Sequence, residues 1–234
     1  MERVEWQDGL GVRCTGLLIK PVGYEPSKRY PLVIMAKGWG KEFLSDTGFH
    51  TAFPPQPLAN AGFLVLMASV PPQTALGPWE NSLKKEPGNM AEAFEFISFV
   101  ESAVDMLERR GMADRADVGI IGFSRTSWQT DFMLAHSDFP LAAASSADSG
   151  LYTYGAYWKF NADGLELDAE KQVGGLPYGS TLEKWLRYAR PFNAEKVRTP
   201  LLMEYMDTKN YPDEGLEFFV SFRQACMTRA DRSC

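Results

Sequence analysis

The chain has 234 residues, 45% of them hydrophobic and 13% aromatic, enough apolar material for one large core without a second domain. A formal net charge of −6 argues against the basic face on which nucleic-acid backbones bind. With no run of about 18 apolar residues and no apolar signal region after Met1, no membrane partner is expected and the cytoplasm is the expected compartment. Three widely spaced cysteines, Cys14, Cys226 and Cys234, suggest neither a disulfide framework nor a zinc cluster. The two histidines, His50 and His136, have no ligating neighbours at metal spacing, so no metal and no cofactor is implied.

In chain order, residues 11–21 read as a strand and 23–29 as the turn after it. Residues 31–36 form a short continuous apolar run, the pattern of a strand covered on both faces, which ends in the loop Lys37-Gly38-Trp39-Gly40. A short helix closed by a glycine spans 53–62, and 63–67 is the next buried strand. From 89 to 110 the apolar residues Met90, Phe94, Ile97, Val100, Val104 and Leu107 recur at helical spacing. A strand over 117–121, a helix over 127–135 and a strand over 141–145 follow. Residues 148–190 break this rhythm with a glycine-rich, aromatic stretch, and 199–205 with 212–225 supply a last strand and helix; the tail 226–234 is polar. Strands alternating with helices predict an α/β fold with a doubly wound, mostly parallel sheet, organised as a single domain over residues 1–234 with a cap inserted at 148–190.

The chemistry gathers at Gly122-Phe123-Ser124-Arg125-Thr126, where a β-branched strand enters a tight turn that leads into a helix. Gly122 leaves room for the bend, and Ser124 at its tip is the candidate nucleophile; the other reading of the same pattern is a serine that merely caps the helix. Acyl transfer also needs oxyanion donors and an acid that orients a base. The amide of Arg125, at the helix start, is one donor, and the backbone around Gly38 and Trp39 supplies the second. Asp207, just past a strand end, is the candidate acid, or else a turn aspartate. The aromatics of 148–190 either bury one another or contact substrate beyond the strand ends; Tyr152, Tyr154 and Trp158 are the candidates for substrate contact.

At this point the chain resembles the catalytic domain of the prolyl oligopeptidase family of serine peptidases. The resemblance is carried by Gly16-Leu17-Leu18-Ile19-Lys20-Pro21 with Lys28-Arg29-Tyr30-Pro31-Leu32-Val33-Ile34, by Gly122-Phe123-Ser124, and by Thr199-Pro200-Leu201-Leu202 before the acid. Within that family, Gly122-Phe123-Ser124-Arg125-Thr126 and Thr51-Ala52-Phe53-Pro54 with Leu58-Ala59 are similar to bacterial lasso-peptide isopeptidases. The resemblance implies an α/β-hydrolase fold and cleavage of peptide or isopeptide amides through an acyl-serine.

It also marks departures. The N-terminal β-propeller of the family has no counterpart in this chain, Lys37 stands where many relatives carry an oxyanion-donating tyrosine, and no histidine follows Asp207. Of the two histidines, His136 lies at the far end of a helix of about 18 Å, and His50 sits in the loop after the oxyanion strand. The expectation is a C-terminally truncated or frameshifted hydrolase with Ser124 and Asp207 retained and weakened activity. A carboxylic-ester hydrolase and a catalytically dead peptide-binding remnant are the alternatives. An uncovered sheet edge at 199–205 predicts a homodimer.

Overall fold

The apolar runs of the sequence become the centre of a seven-stranded sheet in the order β1-β2-β4-β3-β5-β6-β7. The computed structural model describes residues 1–36, 55–68, 88, 90–149, 154–159, 165–205 and 213–232. Its strands are β1 (Glu2–Gln7), β2 (Arg13–Ile19), β3 (Tyr30–Met35), β4 (Leu64–Ala68), β5 (Ala113–Phe123), β6 (Ala143–Ala147) and β7 (Leu201–Glu204). The pairs β1/β2 and β2/β4 are antiparallel, and from β4 to β7 every pair is parallel.

Side-chain alternation along the central strands builds two apolar layers. Leu32, Ile34, Leu64, Leu66, Val118 and Ile120 join the main core, whereas Val33, Met35, Val65 and Met67 face the other way with Ile19 and Ala59. Helix α1 (Pro55–Asn60) covers part of that second face, and the chain leaves it through Gly62 at φ 98°. The main core is closed by α2 (Ala91–Arg109) and α3 (Arg125–His136). The aromatic segment contributes α4 (Tyr154–Lys159), α5 (Leu165–Val173) and α6 (Leu182–Tyr188), followed by a 3-10 turn over Arg190–Lys196. Last comes α7 (Asp213–Arg232).

The elements lie where the apolar periodicity puts them, with ends shifted by a few residues, most of all in β5, which starts at Ala113 rather than 117, and with these further differences. The strand β1 is additional, and its alternation places Val4 and Trp6 in the core with Glu5 outside. The helix after the serine begins at Arg125 rather than 127, because the turn is a single residue. Phe94 does not face the core: it is 42% exposed and packs edge-on against Phe132 and Tyr188, while Ala93, Phe96 and Phe99 of the same helix are buried. Helix α7 runs through the polar tail to Arg232.

Candidate active site

Only one residue separates β5 from α3, and it is Ser124, at φ 54°, ψ −123°. A non-glycine residue in that region stores roughly 1–3 kcal/mol of strain and persists only where its surroundings over-determine it. Here they do. The Ser124 amide donates to Ala147 O at 2.9 Å, and its carbonyl accepts from the amides of Ser127 and Trp128 and from Ser127 Oγ at 2.6 Å. Thr126, two residues after the serine, also braces the turn: its Oγ1 accepts from the Phe123 amide at 3.0 Å and donates to the Phe123 carbonyl at 2.9 Å. Gly122 serves space rather than conformation, since a Cβ there would lie 2.6 Å from Thr126 O and 2.7 Å from Ser127 Cα. The Ser124 side chain makes no capping bond to the helix, so the capping reading has no hydrogen bond behind it.

The strand register continues the pattern. Phe123 pairs with Ala147, which sets Ser124 beside Asp148, itself left-handed at φ 59° with its amide donating to Glu204 O at 2.8 Å. Asp enters this region more readily than most residues, and the cue in the sequence was only an aspartate closing a strand. Arg125 opens α3. The other predicted site residues Gly38, Trp39, Asp207 and Tyr152, together with Lys37 and His50, lie outside the described residues.

Two buried polar clusters flank the turn, and neither was visible in the sequence. In the first, Glu92 on α2 is 4% exposed and receives the Arg125 guanidinium in a two-pronged contact at 2.6 and 2.5 Å. The same carboxylate accepts Gln129 Nε2 at 2.7 Å and Gln172 Nε2 at 2.6 Å. In the second, Asp131 on α3 is fully buried against Arg190. Arg190 Nη1 donates to Asp131 Oδ2 at 2.7 Å and lies 2.5 Å from Ser149 Oγ, while the Ser149 hydroxyl donates to that same carboxylate oxygen. Burial pushes the Asp131 carboxyl above its usual range against the opposing pull of Arg190. Ser146 lies beside Asp131, but its hydroxyl, Asp131 Oδ1 and the Tyr205 hydroxyl make no hydrogen bond of good geometry. Burial raises the Tyr205 phenol as well, with Asp131 adding to the effect.

His136 closes α3 at the end opposite Ser124. Its ring stacks on Phe132 at 4.2 Å, and burial, helped by the Lys196 ammonium, pushes it down to about 4, so it is neutral near pH 7. The aromatic segment divides. Tyr157 is buried edge-on against Trp185 and donates to Glu170 Oε1 at 2.6 Å. Trp158 is 49% exposed and stacks on exposed Tyr178, with Tyr154 edge-on to it at 6.1 Å. Among the described residues no group of three or more His, Cys, Asp or Glu side chains could hold a metal ion, and no helix is long and apolar enough to cross a membrane. Cys14 is buried, with its thiol pushed up to about 12 mainly by that burial, and Cys226 is exposed; both are free thiols.

No family model matches the chain. It is 29% identical over 237 residues to the lasso peptide isopeptidase AtxE2 of Asticcacaulis excentricus, an alignment covering 96% of this chain and 32% of that protein. A probable chloroplastic glutamyl endopeptidase of Arabidopsis thaliana is 30% identical over 156 residues, 64% of this chain and 16% of the other. The apo structure of the AtxE2 isopeptidase superposes with TM-score 0.71 at 26% identity, over 96% of this chain and 34% of that one. An acylaminoacyl peptidase of Pyrococcus horikoshii, at 18% identity and TM-score 0.67 over 96% of this chain and 35% of that one, shares the fold. The chain thus spans about a third of the length of AtxE2 and about a sixth of the glutamyl endopeptidase.

Proposed function

We propose that the chain is a serine-type peptidase or isopeptidase domain of the prolyl oligopeptidase family of α/β-hydrolases, acting on peptide substrates, a reading supported by its similarity to the AtxE2 isopeptidase. The observation that carries the reading is the strained, over-determined backbone of Ser124 with its hydroxyl unused by the helix. In the proposed step Ser124 Oγ attacks the amide carbonyl carbon, and the tetrahedral oxyanion rests on the Arg125 amide and on backbone amides around Gly38 and Trp39. The C–N bond then breaks as the amine takes up the proton that the Ser124 hydroxyl gave up, and water attacks the acyl-serine carbonyl, releasing the carboxylic acid and returning a proton to Ser124 Oγ. Asp207 is the proposed acid of the site. Residues 148–190 act as a cap within the single hydrolase domain, with Tyr152, Tyr154 and Trp158 meeting the peptide.

His136 is held at the other end of α3, and no histidine follows it in the sequence. Where no base is supplied to Ser124, cleavage draws mainly on binding and oxyanion stabilisation, which in serine peptidases leave about 10³–10⁴-fold over water when a triad member is lost. The test is covalent labelling by a fluorophosphonate. The wild-type chain is expected to label slowly at one site and Ser124→Ala not at all; labelling that persists in Ser124→Ala overturns the nucleophile assignment. No labelling in either favours the binding-remnant reading, and matched ester and amide substrates separate a carboxylic-ester hydrolase from a peptidase.

We also propose association of two copies along β7. Among the described residues no strand pairs with its outer edge. Leu202 on it is 58% exposed and continues into a groove of about 440 Å³ across the second sheet face, lined by Val33, Gly119, Ile121, Ala143 and Ser145. Exposed edges of this kind pair with other chains. Light scattering is expected to show a dimer that dissociates on dilution, and a monomer at every concentration rules this out.

A further inference from the structure

Helix α5 of the aromatic segment is joined to the serine turn through a single buried carboxylate. Gln172 at the end of α5 is fully buried, and its Nε2 reaches Glu92 Oε2. The same carboxylate holds Arg125, which spans both of its oxygens, and Gln129 on Oε1, and both belong to the first turns of α3. The backbone repeats the join, as the Gly88 amide donates to Lys171 O at 2.8 Å and the Met90 amide to Gln172 O at 2.9 Å. The fit is close: a Cβ on Gly88 would sit 2.6 Å from Gly174 Cα, and Met90 adopts a left-handed φ of 52° immediately before α2. Four donors on one carboxylate, drawn from two elements that pack on a third, cost too much desolvation to leave half-made.

We propose that Glu92 is a positioning residue that makes α5 and the serine turn one mechanical unit, so that the seating of α5 holds the Arg125 amide in its oxyanion-binding direction. This rests on the reading of Ser124 as nucleophile and adds to it a coupling between the seating of α5 and the order of the oxyanion donor. Glu92 touches no reacting atom; it acts through Arg125. The coupling is reciprocal by thermodynamic necessity, so loosening α5 loosens residues 124–129 as well.

Amide hydrogen exchange tests the coupling without requiring turnover. Gln172→Met keeps the length of the side chain and removes its amide, and with it the donor to Glu92, while Gln172→Glu sets a second carboxylate against Glu92. At pH 7.5 both variants are expected to exchange about tenfold faster than wild type over residues 165–174 and over 124–129, with residues 2–19 unchanged. At pH 5, after correction for intrinsic rates, Gln172→Glu should return to within about twofold of wild type, because two adjacent carboxylates then share a proton, and Gln172→Met should not. Faster exchange confined to 165–174, or faster exchange everywhere including 2–19 in Gln172→Met, overturns the coupling. Coupled exchange in a chain that fluorophosphonate fails to label would leave the coupling standing and sink the nucleophile assignment alone.

Discussion

Replacing Gly122 by alanine is expected to destabilise the protein by about 3 kcal/mol, at the upper end of the usual cost of overpacking, and to suppress fluorophosphonate labelling of Ser124. The three nearest atoms that the new methyl would meet are Thr126 O at 2.6 Å, Ser127 Cα at 2.7 Å and Ser127 N at 2.8 Å. All three are backbone, so no side-chain rotation relieves the overlap. The first turn of α3 must move away from β5, and that turn is pinned by the Thr126 and Ser127 hydroxyls on Phe123 and Ser124 and by the Ser124 amide on Ala147. For a chain of this size a loss of that order lowers Tm by about 6–12 °C. Gly119→Ala is the control, since a Cβ at Gly119 in the same strand would come no closer than 3.6 Å to Ala143 O, ordinary contact, and its expected cost is under about 1 kcal/mol. Equal melting temperatures for the two variants would show that strand and helix do not cross at this distance.

Central strands such as β3 and β4 are short continuous apolar runs because both their faces are covered, a pattern that survives without knowledge of any partner. The turn at Ser124 was legible because a strand, a glycine and a serine stand consecutively in local sequence. The need for room at Gly122 was legible too and is met as clearance against the backbone of Thr126 and Ser127, whereas the strain on Ser124 itself was not. Strand β1 did carry its cue, the alternation of Arg3, Val4, Glu5 and Trp6, but charged outer residues and an edge position weaken that pattern.

Phe94 fitted the apolar stripe of α2 and still faces outward, since α2 buries a broader face centred on Phe96, Phe99 and Val100. The polar clusters were out of reach for a different reason. Glu92 meets Arg125, Gln129 and Gln172 across 33, 37 and 80 residues, and a lone glutamate near a helix start reads as a solvated first-turn acid. The peptidase reading likewise came from the order of short motifs and not from any one of them, and the fold alone would not have supplied it.

Arg190→Met is expected to cost about 3–5 kcal/mol at pH 8, the usual penalty for removing one partner of a buried ion pair. Asp131 is fully buried and would keep only the Ser149 hydroxyl as a donor with good geometry. Burial already raises its folded pKa despite Arg190, so without that guanidinium the carboxyl takes up a proton in the folded state. The sign of the pH dependence follows. A folded pKa above the unfolded value of about 3.9 favours the native state most at low pH, and the advantage fades as pH rises through the folded pKa. Arg190→Met should accordingly lie closer to wild type at pH 5 than at pH 8 when urea unfolding is compared at the two values. The double variant Asp131→Leu/Arg190→Met removes both charges and should recover most of the loss, as apolar replacements of buried pairs do. Since Arg190 also packs over the Phe218 ring of α7 at 5.5 Å and Asp131 stands beside Ser149 and Tyr205 at the ends of β6 and β7, the single variant should release the chain on both sides of β7. Protease cleavage near residues 205–213 in Arg190→Met but not in the double variant would place the ion pair in control of the segment that carries Asp207, and equal resistance of all three proteins would remove it from that role.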